Sequence, residues 1–229
     1  MSGIIAAMKS EIQAIKDSLN EVTVETYSGI EFCLGTLDGK DVIVAQCGVG
    51  KVFAAMCAQT MILKYNPDII INTGVGGSLS DELSIGDIAI SNEVLQHDMD
   101  TSAVGDPIGM VSGVNMIYFP ANENAYRLIK SCADKLSIHS KIGRIASGDQ
   151  FIASKEKKDN IVGNFNAIAC ELEGAAIGQV AYVNNVPFCV VRAISDSADN
   201  SSHMDYNEFL KIASERSYCV IREFVKTYK

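Results

Sequence analysis

The stretch FCVVRAISDSAD, residues 188–199, joins an apolar run to a cluster of one arginine, two serines and two acids. A strand that helices cover on both faces of a sheet is apolar along its whole length. The polar cluster therefore predicts the place where the sheet stops and where a ligand can bind.

Five apolar runs of this kind, counting Pro187–Ser195, end in small or charged residues, and most lead into helical patterns. This alternation predicts a largely parallel sheet covered by helices. Runs at 21–28, 31–37 and 41–48 are joined by links short enough for antiparallel hairpins, which makes the sheet mixed. The predicted fold class is α/β, with a mixed central β-sheet flanked by helices in a single domain over residues 1–229. The other four runs are GIIAAM from Gly3, DIIINTG from Asp68, KIGRIASGD from Lys141 and AIAC from Ala167.

Apolar residues recur at helical spacing in five segments, most clearly in the last one. The stretch 98–120 shows neither the helical nor the strand period, and it is long for a connection in a compact domain. We interpret it as a binding or contact loop. The predicted helices span residues 9–19, 50–64, 122–136, 173–184 and 206–227.

The net charge of -9 at pH 7 comes from acids spread along the chain. Nucleic acid and anionic lipid require a basic surface, so the predicted partner is a small molecule, with no nucleic acid and no membrane. The N-terminal segment lacks a basic signal-peptide region and no apolar run is long enough to span a membrane, which predicts a cytoplasmic protein. Seven cysteines without a C-x-x-C pair and three separated histidines predict neither a metal nor a cofactor.

Acidic side chains collect after the predicted strands, where ligands of open α/β sheets bind. Each has a structural alternative, because Glu11 or Glu173 can complement a helix dipole and Asp196 can cap a turn. The glycines of segment 74–77 can simply shape a tight strand exit, and their spacing does not match a dinucleotide or phosphate loop. The strand ends in question are Glu11, Asn72–Gly77, Ser147–Ile152, Glu171–Gly174 and Arg192–Asp199.

Eight motifs follow one another over almost the entire chain: GIIAAMKSEI, CGVGKV, PDIIINTGVGG, GDIAIS, HDMD, SGDQFI, ELEGAAIGQVA and VPFCVVRAISDSAD. In this order and spacing they resemble the nucleoside phosphorylase and nucleosidase family, and within it the 5'-methylthioadenosine/S-adenosylhomocysteine nucleosidases. The resemblance implies a nucleoside phosphorylase-like fold, usually in a homodimer. It also implies cofactor-free hydrolysis of an N-ribosidic bond, with methylthioadenosine, S-adenosylhomocysteine and 5'-deoxyadenosine as candidate substrates and adenine as product.

The resemblance further implies five catalytic residues. Cleaving the bond develops cationic character on the sugar and requires an acid for the purine, a base for water and a ligand for the ribose. Asp196 matches the acid that protonates adenine at N7, and Ser195 orients it. Glu11 matches the base that activates water, and Arg192 is expected to orient Glu11 and the water. Glu173 matches the ligand of the ribose hydroxyls.

Eight residues are implied to bind the substrate. Phe151 matches the aromatic that stacks on adenine, and the backbone of Ile152 matches the partner of its Watson–Crick edge. Met8 lies beside the sugar, Leu172 stands where the family often carries Met, and Tyr206 matches an aromatic that closes over the ligand. The other three are Val75, Gly76 and Glu171.

The nucleophile separates the two branches of the family. Phosphorylases carry Arg and Ser where this chain has Asn72 and Val75, and an anion site without both is poorly charged. Glu11 repels phosphate and suits water. A phosphate-dependent phosphorylase and an aminodeoxyfutalosine nucleosidase remain alternatives, and a non-catalytic binding protein is the rival from another class.

The 5' pocket departs from the family pattern. Val104 and Ser112 stand where better-known nucleosidases carry Phe and Pro contributed across the dimer, so the preference for the 5' substituent stays open. The loop 98–120 is expected to contribute to the neighbouring site. Three residues receive no mechanistic role: His97, Asp98 and His203.

Overall fold

The computed structural model describes residues 1–199 and 202–228 of the chain. Side chains at 202–205 and 207 lie outside this description, and His203 is one of them. The strands are β1 (Ser2–Ala6), β2 (Asn20–Tyr27), β3 (Ile30–Leu37), β4 (Lys40–Gln46), β5 (Ile69–Ser78), β6 (Ile88–Gln96), β7 (Phe119–Pro120), β8 (Ser140–Ser147), β9 (Ala167–Glu171) and β10 (Phe188–Asp196). The helices are α1 (Lys9–Asp17), α2 (Lys51–Tyr65), α3 (Glu123–Lys135), α4 (Lys155–Phe165), α5 (Gly174–Val183) and α6 (Ser202–Thr227).

One mixed sheet contains a closed ring of strands. Its order from the outer edge is β2, β3, β4, β1, β5, β9, β8, β6 and β10, and β10 also pairs with β5. Strands β5 and β10 are parallel, whereas β9 is antiparallel to β5 and β6 is antiparallel to β10. The mixed sheet is as predicted, but the closure of β5, β9, β8, β6 and β10 into a ring was not anticipated.

The predicted hairpins are present at the outer edge of the sheet. Strand β3 pairs antiparallel with both β2 and β4. The links contain Ser28–Gly29 and Asp38–Gly39, and all four residues have positive φ. Such pairs form the tight turns whose twist matches that of the flanking strands.

Helices cover the sheet on both sides. On β1, Ile4 packs in the cluster that contains residues of α1, α3 and α6, while Ile5 packs in the cluster that contains residues of α2 and α5. Successive side chains of a strand point to opposite faces, so both residues are apolar and fully buried.

Three elements were not predicted from the sequence: β6, β7 and α4. In addition, the glycine segment Asn72–Gly77 lies within β5, not after it, and Arg192–Asp196 lies within β10. The prediction that the polar cluster begins where the sheet stops is therefore wrong for Arg192. Its side chain is buried inside the sheet because acidic neighbours compensate its charge there.

The segment 98–120 is mostly irregular, as predicted. It holds a short 3-10 turn at Ser102–Val104 and an isolated bridge between Val111 and Met116 before β7 begins. In the described part of the chain, no helix is both long enough and apolar enough to cross a membrane.

Candidate active site

The site lies beside β5, where the pairing partner of this strand changes from β1 to β9. Strand β1 pairs with β5 as far as Asn72, and β9 pairs with β5 from Gly77 onward. Between these positions β1 and β9 diverge, and a cavity of about 410 Å³ opens beside the middle of β5. That volume suits a nucleoside-sized ligand.

The cavity brings together residues that are far apart in the sequence. Twelve of the thirteen predicted site residues line it, and Arg192 is the exception. The lining residues that were predicted are Met8, Glu11, Val75, Gly76, Phe151, Ile152, Glu171, Leu172, Glu173, Ser195, Asp196 and Tyr206.

Glu11 lies in the first turn of α1 with its carboxylate turned back towards β5. Its Oε2 accepts hydrogen bonds from the backbone N–H groups of Ala7 (3.1 Å) and Met8 (2.8 Å), and its Oε1 accepts one from Val75 (2.9 Å). Glu11 thus lies in the first turn of a helix, where it can complement the dipole, and also lines the cavity. Burial raises the pKa of Glu11, although the charge of Arg192 and the three N–H groups oppose that rise.

The glycines of β5 make room for the carboxylates. A Cβ at Gly74 would lie 2.5 Å from Glu11 Oε1, and one at Gly77 would lie 2.8 Å from Asp196 Oδ1. Neither glycine has a positive φ, so space, not backbone conformation, requires glycine here.

Asp196 ends β10 at a β-bulge. Its Oδ1 accepts a hydrogen bond from the N–H of Ala198 (2.9 Å), and its Oδ2 accepts one from the Ser195 hydroxyl (2.9 Å). The serine therefore contacts the aspartate as the sequence predicted, and both side chains are buried.

Glu173 immediately precedes α5 and faces the start of α2. Its Oε1 accepts a hydrogen bond from the N–H of Gly50 (2.9 Å), and its Oε2 lies 3.6 Å from Arg192 Nη2. Burial, assisted by the nearby negative charge of Glu171, raises the pKa of Glu173 to about 7 despite the opposing charge of Arg192. The carboxyl group therefore titrates near neutral pH.

Arg192 does not contact Glu11, contrary to the prediction. Its Nη2 donates hydrogen bonds to Glu171 and to Asn72 Oδ1, and its Nη1 donates to the carbonyl of Val191 (3.0 Å). The guanidinium is fully buried between β5 and β9 and stays out of the cavity. Its positive charge compensates the carboxylates of Glu171, Glu173 and Glu11 from outside the cavity.

Glu171 lines the cavity, but protein groups use both of its oxygens. One oxygen accepts a hydrogen bond from Ser147, and the other accepts from Arg192 and from the N–H groups of Glu173 (2.9 Å) and Gly174 (2.7 Å). This carboxylate fixes the turn that presents Glu173, so the predicted direct contact with substrate is not favoured.

Aromatic side chains form the rim. The rings of Phe151 and Tyr206 are 5.7 Å apart and nearly perpendicular, at 82°. The Tyr206 hydroxyl donates to Met8 Sδ at 3.2 Å, which ties the start of α6 to the residue beside α1. Phe151 is half exposed and Ile152 is buried. The cavity is therefore lined by an accessible aromatic ring and by a buried apolar side chain next to it.

Sequence reasoning missed five residues of the cavity. Each adjoins or belongs to a motif that was recognised, so proximity along the chain was an available signal. Among the residues that the structure describes, no group of His, Cys, Asp and Glu side chains is arranged to hold a metal ion. The five missed residues are Ala7, Val49, Gly77, Gln150 and Cys170.

The profile of the phosphorylase superfamily matches residues 2–226 of the chain. A 5'-methylthioadenosine/S-adenosylhomocysteine nucleosidase of Shewanella halifaxensis is 40% identical over 225 residues, which cover 98% of each chain. The similarity therefore extends across the whole fold and all parts of the cavity.

Solved structures of relatives show the same fold over nearly the whole chain. A 5'-methylthioadenosine/S-adenosylhomocysteine nucleosidase of Neisseria meningitidis, in complex with methylthio-immucillin-A, has a TM-score of 0.95 at 33% identity and covers 99% of this chain and 98% of its own. A futalosine hydrolase of Helicobacter pylori has a TM-score of 0.94 at 35% identity and covers 98% of this chain and 97% of its own.

Proposed function

This chain belongs to the phosphorylase superfamily and, within it, to the 5'-methylthioadenosine/S-adenosylhomocysteine nucleosidases, and we propose that Glu11, Glu173 and Asp196 carry its reaction. It is an N-glycosidase that hydrolyses the N-ribosidic bond of these nucleosides and releases adenine and a thioribose product. The reaction needs a base for water, a ligand for the ribose and an acid for the purine, and the cavity offers one carboxyl group for each.

The charge of the cavity is the observation that supports water as the nucleophile. Among the described residues that line it, four are acidic and none is Lys or Arg. The nearest guanidinium, that of Arg192, is already bound to Glu171 and Asn72. A phosphate ion needs cationic partners or directed donors, so this cavity disfavours phosphorolysis.

Glu11 is the general base. A carboxylate offers about four acceptor positions, and the N–H groups of Ala7, Met8 and Val75 use three of them. The remaining position on Oε1 can accept a hydrogen bond from the attacking water. The raised pKa of Glu11 makes it a better proton acceptor than an exposed glutamate.

Asp196 is the general acid. It protonates adenine at N7, so the base leaves as a neutral molecule while the C–N bond breaks. Hydrogen bonds from Ser195 and Ala198 hold its carboxyl group at the end of β10. A proton transfer of this kind contributes about 10²- to 10⁴-fold to the rate.

Glu173 binds the ribose. Its Oε1 accepts a hydrogen bond from the N–H of Gly50, and its carboxylate accepts hydrogen bonds from the 2' and 3' hydroxyls. The negative charge of the carboxylate also stabilises the cationic sugar of the transition state. The pKa of this carboxyl is about 7 in the chain without substrate, and hydrogen bonds donated by the ribose hydroxyls favour its charged form.

The remaining residues shape the nucleoside pocket. Phe151 stacks on adenine, and the backbone of Ile152 binds its Watson–Crick edge. Tyr206 closes over the sugar beside Met8, supported by their mutual hydrogen bond. Val75, Gly76 and Leu172 form the walls.

We further propose a homodimer in which the loop 98–120 reaches the neighbouring site. The loop residues Val104 and Ser112 do not line the cavity of their own chain in the described structure. The α2 patch, defined as Val49, Val52 and Phe53, is exposed and apolar, and Val49 also lines the cavity. An apolar patch beside an open site is typical of a protein interface. A cytoplasmic location stays a prediction of the sequence.

Adenine release tests the proposed function. We would incubate the purified protein with methylthioadenosine, S-adenosylhomocysteine, 5'-deoxyadenosine, aminodeoxyfutalosine and adenosine, each with and without phosphate. We expect release from the two thio-substituted nucleosides, independent of phosphate. Strict phosphate dependence with formation of a sugar 1-phosphate would contradict hydrolysis, and release from none of the five would favour a binding protein.

A further inference from the structure

A closed triangle of contacts lies just outside the cavity and involves residues with no role in the reaction. Lys51 Nζ donates to Asp98 Oδ1 at 2.6 Å, and the other carboxylate oxygen of Asp98 accepts from the backbone N–H of Asp149 at 2.9 Å. The triangle closes where the backbone N–H of Lys51 donates to Asp149 Oδ1 at 2.8 Å. We call these three residues the Lys51 triangle.

The Lys51 triangle connects three separate parts of the fold. Lys51 begins α2, Asp98 follows the end of β6, and Asp149 belongs to the connection after β8. The Lys51 ammonium also donates to Gln96 Oε1 at 3.0 Å, which anchors it at the end of β6. The ammonium therefore joins the start of α2 to the end of β6, and two backbone N–H groups, those of Lys51 and Asp149, join both to the segment after β8.

Both halves of the nucleoside site adjoin this triangle. Gly50 precedes Lys51 and donates its N–H to Glu173, the ribose ligand. Asp149 is followed by Gln150, Phe151 and Ile152, all of which line the cavity on the adenine side. Any shift between Lys51 and Asp149 therefore changes the distance between the sugar ligand and the stacking aromatic.

The adenine-side segment depends on polar contacts for its position. Residues 149–151 are exposed, so packing in the core does not hold them. Besides the triangle, the segment is held by Gly148, whose N–H donates to the carbonyl of Glu171, by Lys157, which donates to Gln150, and by the ring contact of Phe151 with Tyr206, and none of these contacts involves α2. The contacts of the triangle are the ones that orient this segment relative to α2.

We propose that Lys51 and Asp98 are positioning residues for nucleoside binding, setting the spacing between the adenine subsite and the ribose ligand. This inference rests on the proposed function and assigns a role to Asp98, for which the sequence suggested none. Neither side chain touches the substrate, and each acts through Asp149.

The geometry explains why a cation is needed at this point. Asp98 and Asp149 lie next to each other, and their side chains are joined through the ammonium and the backbone N–H of the same lysine. The Lys51 and Asp98 side chains are only 18% and 16% exposed, so water screens the pair less than it screens a surface ion pair. Without the ammonium, Asp98 would keep its charge with one partner fewer and would be drawn towards solvent, away from the Asp149 N–H.

The positioning role predicts a loss of binding with little loss of chemistry. Glu11 and Asp196 are held by their own backbone contacts, none of which involves the triangle. In Lys51→Met and in Asp98→Asn we expect the KM for methylthioadenosine and the Kd for adenine to rise about 10- to 100-fold, the usual effect of losing a hydrogen bond to a charged group. We expect kcat to change by less than about three-fold, as for residues that act on binding alone.

Adenine titrated calorimetrically, together with steady-state kinetics on the full chain, measures both effects. The double variant should bind adenine no more weakly than the worse single variant, because the two side chains act as one unit. Lys51→Arg retains a cationic donor and should recover most of the affinity. Lys64→Met, in the last turn of the same helix, is the matched control and should behave as the unmodified protein.

Thermal unfolding identifies any variant that fails to fold. If Lys51→Met fails to fold, Lys51→Gln replaces it. This variant keeps a neutral donor for Asp98, so we expect an intermediate loss of adenine affinity. Unchanged adenine affinity in folded variants would overturn the positioning role, and so would a fall in kcat as large as the rise in KM. If the unmodified protein released no adenine from any nucleoside, the proposed function itself would fail, which is a distinguishable result.

Discussion

Glu11 and Gly74 approach each other so closely that a side chain at position 74 would displace the Glu11 carboxylate. The Cβ of an alanine would lie 2.5 Å from Oε1 and 3.0 Å from the carboxyl carbon of Glu11. The same carboxylate is held by three backbone N–H groups, from Ala7, Met8 and Val75. The carboxylate of the proposed general base is thus positioned by the absence of a side chain on β5 as much as by its own hydrogen bonds.

Gly74→Ala should inactivate the enzyme while the chain still folds. The added methyl group meets the end of a side chain, which can move, but a displaced carboxylate loses its N–H partners and its alignment with water. A misplacement of about 1 Å lowers turnover about 10²-fold. We expect a loss of kcat of that size, measured by adenine release. Gly163→Ala is the control, because nothing lies within 4 Å of the added Cβ, and equal activity in both variants would contradict this role of Gly74.

Asp196→Asn should remove the proposed general acid and leave the fold intact. The amide oxygen can still accept from Ser195 or Ala198, but the side chain can no longer protonate N7. We expect kcat to fall about 10²- to 10⁴-fold with a small change in melting temperature. Ser195→Ala, which removes only the orienting hydroxyl, should cost less. Turnover of Asp196→Asn at the unmodified rate would end the assignment of this residue.

Glu173 should make the protein less stable as the pH rises. Its pKa is raised to about 7 in the folded chain, compared with 4.5 for an ordinary glutamate. Between these two values the folded state binds more protons than the unfolded state, so the free energy of unfolding decreases with increasing pH. Glu173→Gln has no proton to lose, and at pH 8 we expect it to be more stable than the unmodified protein by about 1–3 kcal/mol.

Urea unfolding between pH 5 and pH 8 measures this difference, and the slope of stability against pH should be flatter in Glu173→Gln. Glu156→Gln, at an exposed position of α4, is the control and should follow the unmodified protein. The Gln variant should also lose most of its activity, since it cannot offer a charge to the cationic sugar. An equal slope in Glu173→Gln and in the unmodified protein would contradict the raised pKa of Glu173, because a lowered pKa would change stability only below pH 5.

The α2 patch should control assembly. Phe53→Glu places a charge in the exposed apolar patch, and we expect it to convert dimers into monomers with a loss of activity, because the neighbouring loop no longer reaches the site. Sedimentation velocity measures the change. Leu63→Glu is the matched control, since Leu63 is exposed at the other end of the same helix. A monomeric unmodified protein with full activity would contradict the proposed dimer.

Most strands could be predicted because their apolar runs are local signals. β6 was missed because its apolar residues, from Ile88 to Leu95, are interrupted by polar ones, and because it pairs with strands distant in sequence, β8 and β10. α4 was missed because its exposed face is polar and only Ile161 and Phe165 are buried. Its capping residue, Ser154, was an available signal, since it accepts from the N–H of Lys157.

The sequence predicted correctly which carboxylates line the cavity, but it did not predict which groups the side chains of Arg192 and Glu171 would bind. Glu11, Glu173 and Asp196 all line the cavity, but the partner of Arg192 could not be read from the sequence. That partner depends on β5 and β9 meeting at Gly77 and Cys170, a pairing set by the whole ring. Glu171 looked like a ligand for the same reason, although its oxygens serve the protein.

The closed ring also determines when the enzyme becomes active during folding. Its strands bring residues 69–78 beside residues 167–171 and 188–196, and the three carboxylates proposed to be catalytic come from positions 11, 173 and 196. Contacts between such distant positions form late, because long loops must close before the contacts stabilise anything. In a refolding reaction, helical signal should therefore return before enzymatic activity. Activity requires β10 to be paired with β5 and β6, and also requires the proposed dimer, so it should return later than the helical signal.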